Sequence, residues 1–177
     1  MKIAPPSISE LSEYYQSYIH YLPETDLMEA MQRLTKESDK FYSEITESQA
    51  GYSYADGKWQ LKEVVGHICD TERIMVYRAL RIARKDKTPI EAFDENFYTE
   101  NSFYSSRSFS SIYEEWKSIR AASLSFFQNL DLSAYGNVGT ANKTPVSVKA
   151  ILYFIIVHER HHQRIIRERY LNVEKSS

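Results

Sequence analysis

An all-α fold is what the sequence predicts: a four-helix bundle with a short extra N-terminal helix and a long crossover connection. Three observations carry that expectation. The 177 residues include only 5 Gly and 5 Pro, so the stretches free of breakers are as long as helices. Within them, apolar residues return every three or four positions. Residues able to cap a helix precede most of these stretches. The length suits one domain over residues 1–177, large enough to bury a sizeable core.

The elements follow in order. Pro5 and Pro6 keep the start extended, and Ser7 with Glu10 has capping-box spacing, so a short helix is expected to run to about His20. Thr25 or Asp26 caps a second helix through Leu27, Met31, Leu34, Phe41 and Ile45, expected to end near Gly51. Asp56-Gly57 marks a turn, and Trp59 opens a long helix reaching about Lys85. Residues 87–107 read as a crossover, because a connection this long is uncommon in a compact domain. Its aromatics Phe93, Phe97 and Tyr98 are expected to pack over one end of the bundle. Ser108 or Ser110 caps the next helix, which carries Ile112, Trp116, Ile119, Leu124 and Phe127. Residues 131–143 read as a loop. Thr144-Pro145 then reads as N-cap and first residue of the last helix, which runs to about Leu171.

Composition excludes several roles. The net charge of −2 offers no basic field for nucleic acid. The basic clusters at 73–87 and 160–169 fall toward helix C-termini, where cations complement the helix dipole. No apolar stretch is long enough to cross a membrane, and the N-terminus lacks the apolar region of a signal peptide. Cys69, the only cysteine, permits no internal disulfide and reads as a small buried hydrophobe, which fits a cytoplasmic protein.

The chemistry concentrates in the last helix. Ile151, Ile155, His158, His162, Ile165 and Ile166 fall on one stripe, so two imidazoles occupy places where the pattern calls for core residues. Burying a polar ring without a partner costs about 1–3 kcal/mol. A metal is one such partner, and an i, i+4 histidine pair on a helix can bind one. His67, beside the apolar stripe of another helix, is the third candidate. His161 is a rival ligand, since it too neighbours His158 on a helix, but His162 keeps the stripe unbroken. The competing reading has these histidines as core or rim groups satisfied by tyrosine hydroxyls or carboxylates. Three neutral imidazoles leave a divalent ion its full charge and an open position. Asp70 and Glu159 are candidate supports for the imidazoles, Glu72 and Arg73 are a candidate buried pair, and His20 reads as a surface residue.

Lys58-Trp59, then residues 63–73 (EVVGHICDTER), then His158-Glu159-Arg160-His161-His162 resemble the DinB/YfiT superfamily, a damage-inducible family of metalloenzymes. The resemblance spans about Met28 to Leu171. It implies a four-helix bundle whose three metal-binding histidines map onto His67, His158 and His162. It also implies a homodimer and a divalent transition metal (Zn, Ni, Fe or Mn). Some relatives are S-transferases or isomerases that use a low-molecular-weight thiol. The expected function is therefore a metal-dependent enzyme acting on a small molecule, either a thiol-dependent transferase or a hydrolase. The alternative is a non-catalytic metal- or ligand-binding module related to stress.

Overall fold

The computed structural model describes residues 2–171. In chain order it contains α1 (Glu13–Gln16), α2 (Leu27–Ser43), α3 (Glu47–Ala50), α4 (Leu61–Ala83), α5 (Glu95–Glu100), α6 (Phe109–Gln128), the strands β1 (Val138–Ala141) and β2 (Thr144–Ser147), and α7 (Val148–Ile165). A single π turn, Ile166–Tyr170, extends α7.

The four long helices, α2, α4, α6 and α7, form the expected bundle, and two apolar clusters fix their directions. At one end Leu27 and Met31 of α2 join Ala79 and Ile82 of α4, Phe127 of α6, and Ile151 and Phe154 of α7. At the other end Tyr42 joins Leu61 and Val65, Ile112 and Trp116, and Ile166. The starts of α2 and α7 thus meet the ends of α4 and α6. Helices α4 and α6 run parallel to one another and antiparallel to α2 and α7. Two consecutive long helices can be parallel only if the chain returns along the bundle between them. The segment between α4 and α6 makes that return, as the crossover reading required.

Close approach lets the crossover lie flat. A Cβ on Gly66 would stand 2.3 Å from the Tyr104 ring, so only glycine admits the crossover at that point on α4. Asp94 caps α5 by accepting from Asn96 N and Phe97 N at 2.9 and 3.0 Å. The aromatic expectation holds only in part. Phe93 packs against the core, while Phe97, Tyr98 and Phe103 are exposed.

Four boundaries differ from the sequence reading. The N-terminal helix is a string of single turns, of which α1 is the longest, flanked by Ile8–Glu10 and Ile19–Tyr21. The Ser7–Glu10 capping box forms, but the tyrosines pack sideways on α7, with Tyr15 stacked on Phe154 at 4.5 Å, and tertiary contact overrides helix continuation. Helix α2 stops at Ser43 rather than near Gly51, because Thr46 and Gln49 build a new capping box that starts α3. Gln60, rather than Trp59, is the N-cap of α4.

The largest correction is before α7. Residues 138–147 form a β-hairpin, and Thr144-Pro145 lies in its second strand, with Pro145 opposite Thr140. Asn142 and Lys143 both take positive φ (49° and 60°), the two-residue turn that suits hairpin twist. Ser147 is the actual N-cap of α7, accepting from Ala150 N at 3.1 Å. Gly139 lets the hairpin press on α4, since a Cβ there would meet Ile82 at 2.6 Å. Ile90 of the crossover bridges to Ala141 on the free edge of β1.

Candidate metal centre

Helix α4 enters the bundle with His67 in its second turn. Helix α7, antiparallel to it, brings His158 and His162 to the same level, one turn apart. The three Nε2 atoms converge. His158 Nε2 stands 3.1 Å from His67 Nε2 and 3.1 Å from His162 Nε2, and one ligand nitrogen from each ring lies within 4.8 Å of the others. His67 and His158 are buried and His162 partly so.

Protons alone do not satisfy this arrangement. A neutral imidazole Nε2 holds either a proton or a lone pair, so His158 Nε2 can donate once or accept once. It cannot serve both neighbours. A cation on the axis of the three lone pairs satisfies all of them. Two nitrogens bound at roughly 2.0–2.1 Å with tetrahedral or right-angle geometry stand roughly 3 Å apart, which matches the observed contacts. Protonation is also opposed. Burial lowers the pKa of His67 to about 4, and burial with mutual repulsion holds His158 and His162 well below the usual histidine range. The rings are neutral near pH 7, the form that binds metals.

His161, the rival, points elsewhere. Its Nδ1 lies 3.2 Å from the Tyr21 hydroxyl, and its ring meets Tyr18 edge-on at 5.1 Å. It is not in the cluster of convergent ligand atoms. His20 is exposed, as expected.

The centre opens into a cavity of about 510 Å³. Its walls are the tyrosine turns of the N-terminus, the hairpin, the crossover near Phe93, and one face of α4. That face carries His67, Thr71, Met75 and Arg78 at helical spacing. Thr71 and Arg78 were not singled out from the sequence. The signal for them was present, since polar residues recur at four and eleven positions after His67.

On another side of α7 lies a second polar group, buried in the bundle. Arg120 of α6 grips Glu72 of α4 through Nε and Nη2 at 2.9 and 2.7 Å, and its Nη2 also donates to Glu159 of α7. Glu159 Oε1 accepts from the Tyr42 hydroxyl and Trp116 Nε1, each at 3.1 Å. Gln163 donates to Ser38 at 2.6 Å. Four helices are thereby tied together. Glu159 is spent here, Glu72 pairs with Arg120 rather than Arg73, and Arg73 pairs with Glu115 at 2.6 Å. Asp70 accepts from the Tyr104 hydroxyl at 3.0 Å. Cys69 is fully buried, and burial raises its thiol pKa well above the usual value.

The family model of the DinB superfamily matches residues 30–166. The chain belongs to the DinB superfamily. Two solved structures share its fold. One is YfiT from Bacillus subtilis, described as a probable metal-dependent hydrolase with an unusual four-helix bundle topology; it is 17% identical, with 93% of each chain covered and a TM-score of 0.65. The other is a mycothiol-dependent maleylpyruvate isomerase, 14% identical, with 85% of this chain and 62% of that chain covered and a TM-score of 0.66. No curated protein matches the chain.

Proposed function

We infer that the chain is a divalent-metal-dependent enzyme acting on a small molecule, with His67, His158 and His162 as the metal ligands. The observation that carries this reading is the pair of 3.1 Å contacts at His158 Nε2, which no single proton placement satisfies. The transition metal is among Zn, Ni, Fe and Mn; imidazole suits the first three, whereas Mn prefers oxygen ligands. Bound there, a divalent ion supplies Lewis acidity toward a water or thiol nucleophile.

The chain's own residues do the rest. Helices α4 and α7 hold the imidazoles in place, because His67 and His158 are buried on packed helix faces and His162 follows one turn along α7. The Arg120 network fixes α7 in rotation about its axis, and with it the aim of His158 and His162. Phe154 and Tyr15 form an apolar wall beside the rings and limit the water that reaches them. The cavity's volume suits a small organic substrate.

Hydrolysis is the first reading of the reaction, supported by kinship of fold with a probable metal-dependent hydrolase. Thiol-dependent transfer or isomerisation is the second, supported by kinship of fold with a mycothiol-dependent isomerase. Protein loaded with each metal in turn, assayed against esters and amides and against electrophiles paired with a low-molecular-weight thiol, separates them. Turnover in one panel that disappears in His158→Ala is expected. Turnover that survives in His158→Ala would contradict the assignment. A loaded protein with no activity and no exchangeable water or thiol position would leave a binding module instead.

A further inference from the structure

The cavity holds one cation that no acid neutralises. Arg78 is 5% exposed, and among the described residues it forms no ion pair. Its Nη2 donates to the Glu91 carbonyl at 2.9 Å, its Nη1 meets only the Met75 sulfur at 4.0 Å, and its Nε has no partner. A buried guanidinium whose partners are one carbonyl and the face of Phe93, 5.8 Å away, is costly, and such charges are ordinarily paired with an anion. One turn from His67, Thr71 is 3% exposed, and its Oγ1 also lacks a partner. Both side chains line the cavity. The two unsatisfied groups therefore share one wall with the histidine centre.

The other charges of the cavity do not answer Arg78. Glu10 is held by Lys149 at 2.8 Å, and its carboxyl is pulled down to about 2 by that contact. Glu95 is exposed at the rim, where water screens it.

We propose that Arg78 and Thr71 form an anion subsite, and that the substrate is a small molecule bearing a carboxylate at the end remote from its reacting group. The idea rests on the metal-enzyme reading for the reacting end only. Helix rise puts the Cα atoms of Thr71 and Arg78 about 6 Å and about 16 Å along α4 from that of His67. The arginine stem leans back over Met75, as helical side chains do, which shortens the span to roughly 10 Å. A single guanidinium, aided by one hydroxyl, matches a monoanion better than a phosphate dianion. Between the two ends runs the Tyr15–Phe154 stack, with the Phe154 ring 5.1 Å from His158 and the Tyr15 hydroxyl 4.0 Å from the Met75 sulfur, and Phe93 lies against Arg78; these apolar faces favour an aryl or alkyl linker.

The test uses 4-phenylbutyrate, its neutral amide 4-phenylbutyramide, and 3-phenylpropyl phosphate, each titrated by calorimetry into the full chain as purified. The same titrations are run on His162→Ala, Arg78→Gln, Arg78→Lys and Thr71→Val. The acid is expected to bind wild type about tenfold tighter than the amide, the size of one charge-assisted hydrogen bond. His162→Ala should keep that preference, since the anion subsite does not need the metal. Arg78→Gln should abolish it, Arg78→Lys should keep part of it, and Thr71→Val should reduce it. If Arg78→Gln fails to fold, the lysine and valine variants carry the comparison. Equal binding of acid and amide, or no binding of either, to wild type would overturn the proposal. So would a preference that vanishes in His162→Ala, because the carboxylate would then have been bound at the histidine centre. Tighter binding of the phosphate than of the acid would overturn the carboxylate assignment. A protein that binds no metal yet keeps the acid preference would refute the metal reading and leave the anion subsite standing.

Discussion

His158 and Glu159 are neighbours in sequence, and they sit at the centres of two polar groups on α7 with opposite logic. Glu159 joins a group in which Arg120, Tyr42 and Trp116 supply the donors it needs, all inside the bundle. His158 joins a group of like, uncharged rings whose contacts cannot all be hydrogen bonds, at the floor of a cavity. The first is complete from protein atoms alone. The second needs something from outside. Burial of polar groups therefore does not by itself mark a functional site; the useful observation is whether the protein has provided every partner.

The sharpest way to break the comparison is at Arg120. Arg120→Met leaves Glu72 and Glu159 buried without their cation, and a loss of about 3–5 kcal/mol is expected in denaturant unfolding. A loss under about 1 kcal/mol would mean that water or a rearranged donor already supports the carboxylates. His67→Ala should do the opposite. It removes a ring that resists its neighbours, so the metal-free variant should unfold within about 1 kcal/mol of metal-free wild type while losing the metal response. If it instead lost as much as Arg120→Met, the histidines would be a structural network.

Acidity sharpens the contrast further. Folded His67 resists protonation until about pH 4, while the unfolded chain takes up that proton near 6.5. The unfolded state then binds more protons between those values, so the stability that neutral His67 contributes to metal-free protein should be lost as the pH falls through that window. Flat stability from pH 7 to 4 would show that the ring is better solvated than its burial suggests. No effect on the chemistry is expected at Cys69. Cys69→Ala should cost about 1–2 kcal/mol through lost packing and leave metal binding and turnover unchanged. Abolished turnover would move the chemistry from the imidazoles to the thiol.

Periodicity made the four long helices legible, and the imidazoles on an apolar stripe made the centre legible. The hairpin at 138–147 was not. Thr144-Pro145 satisfies the local rules for a helix start, and only the positive φ of Asn142 and Lys143, with Gly139 against Ile82, reveals strands there. The N-terminal turns escaped for a related reason: Tyr15 and Tyr18 obey Phe154 and His161, which lie far along the chain. Glu159 reads as a candidate support for the imidazoles because its actual partners come from α2 and α6, and pairing across the bundle leaves no mark in local spacing. Arg78 hides among basic residues near a helix C-terminus, where a dipole role explains them without reference to a cavity.

Metal content of untagged, gently purified protein, measured beside His67→Ala and His162→Ala, tests the central claim most directly. About one transition metal per chain in wild type, lost in both variants, is the expected result for a three-histidine centre. A metal-free wild type that also refuses Zn, Ni, Fe and Mn on titration, or metal retained in both variants, would contradict it.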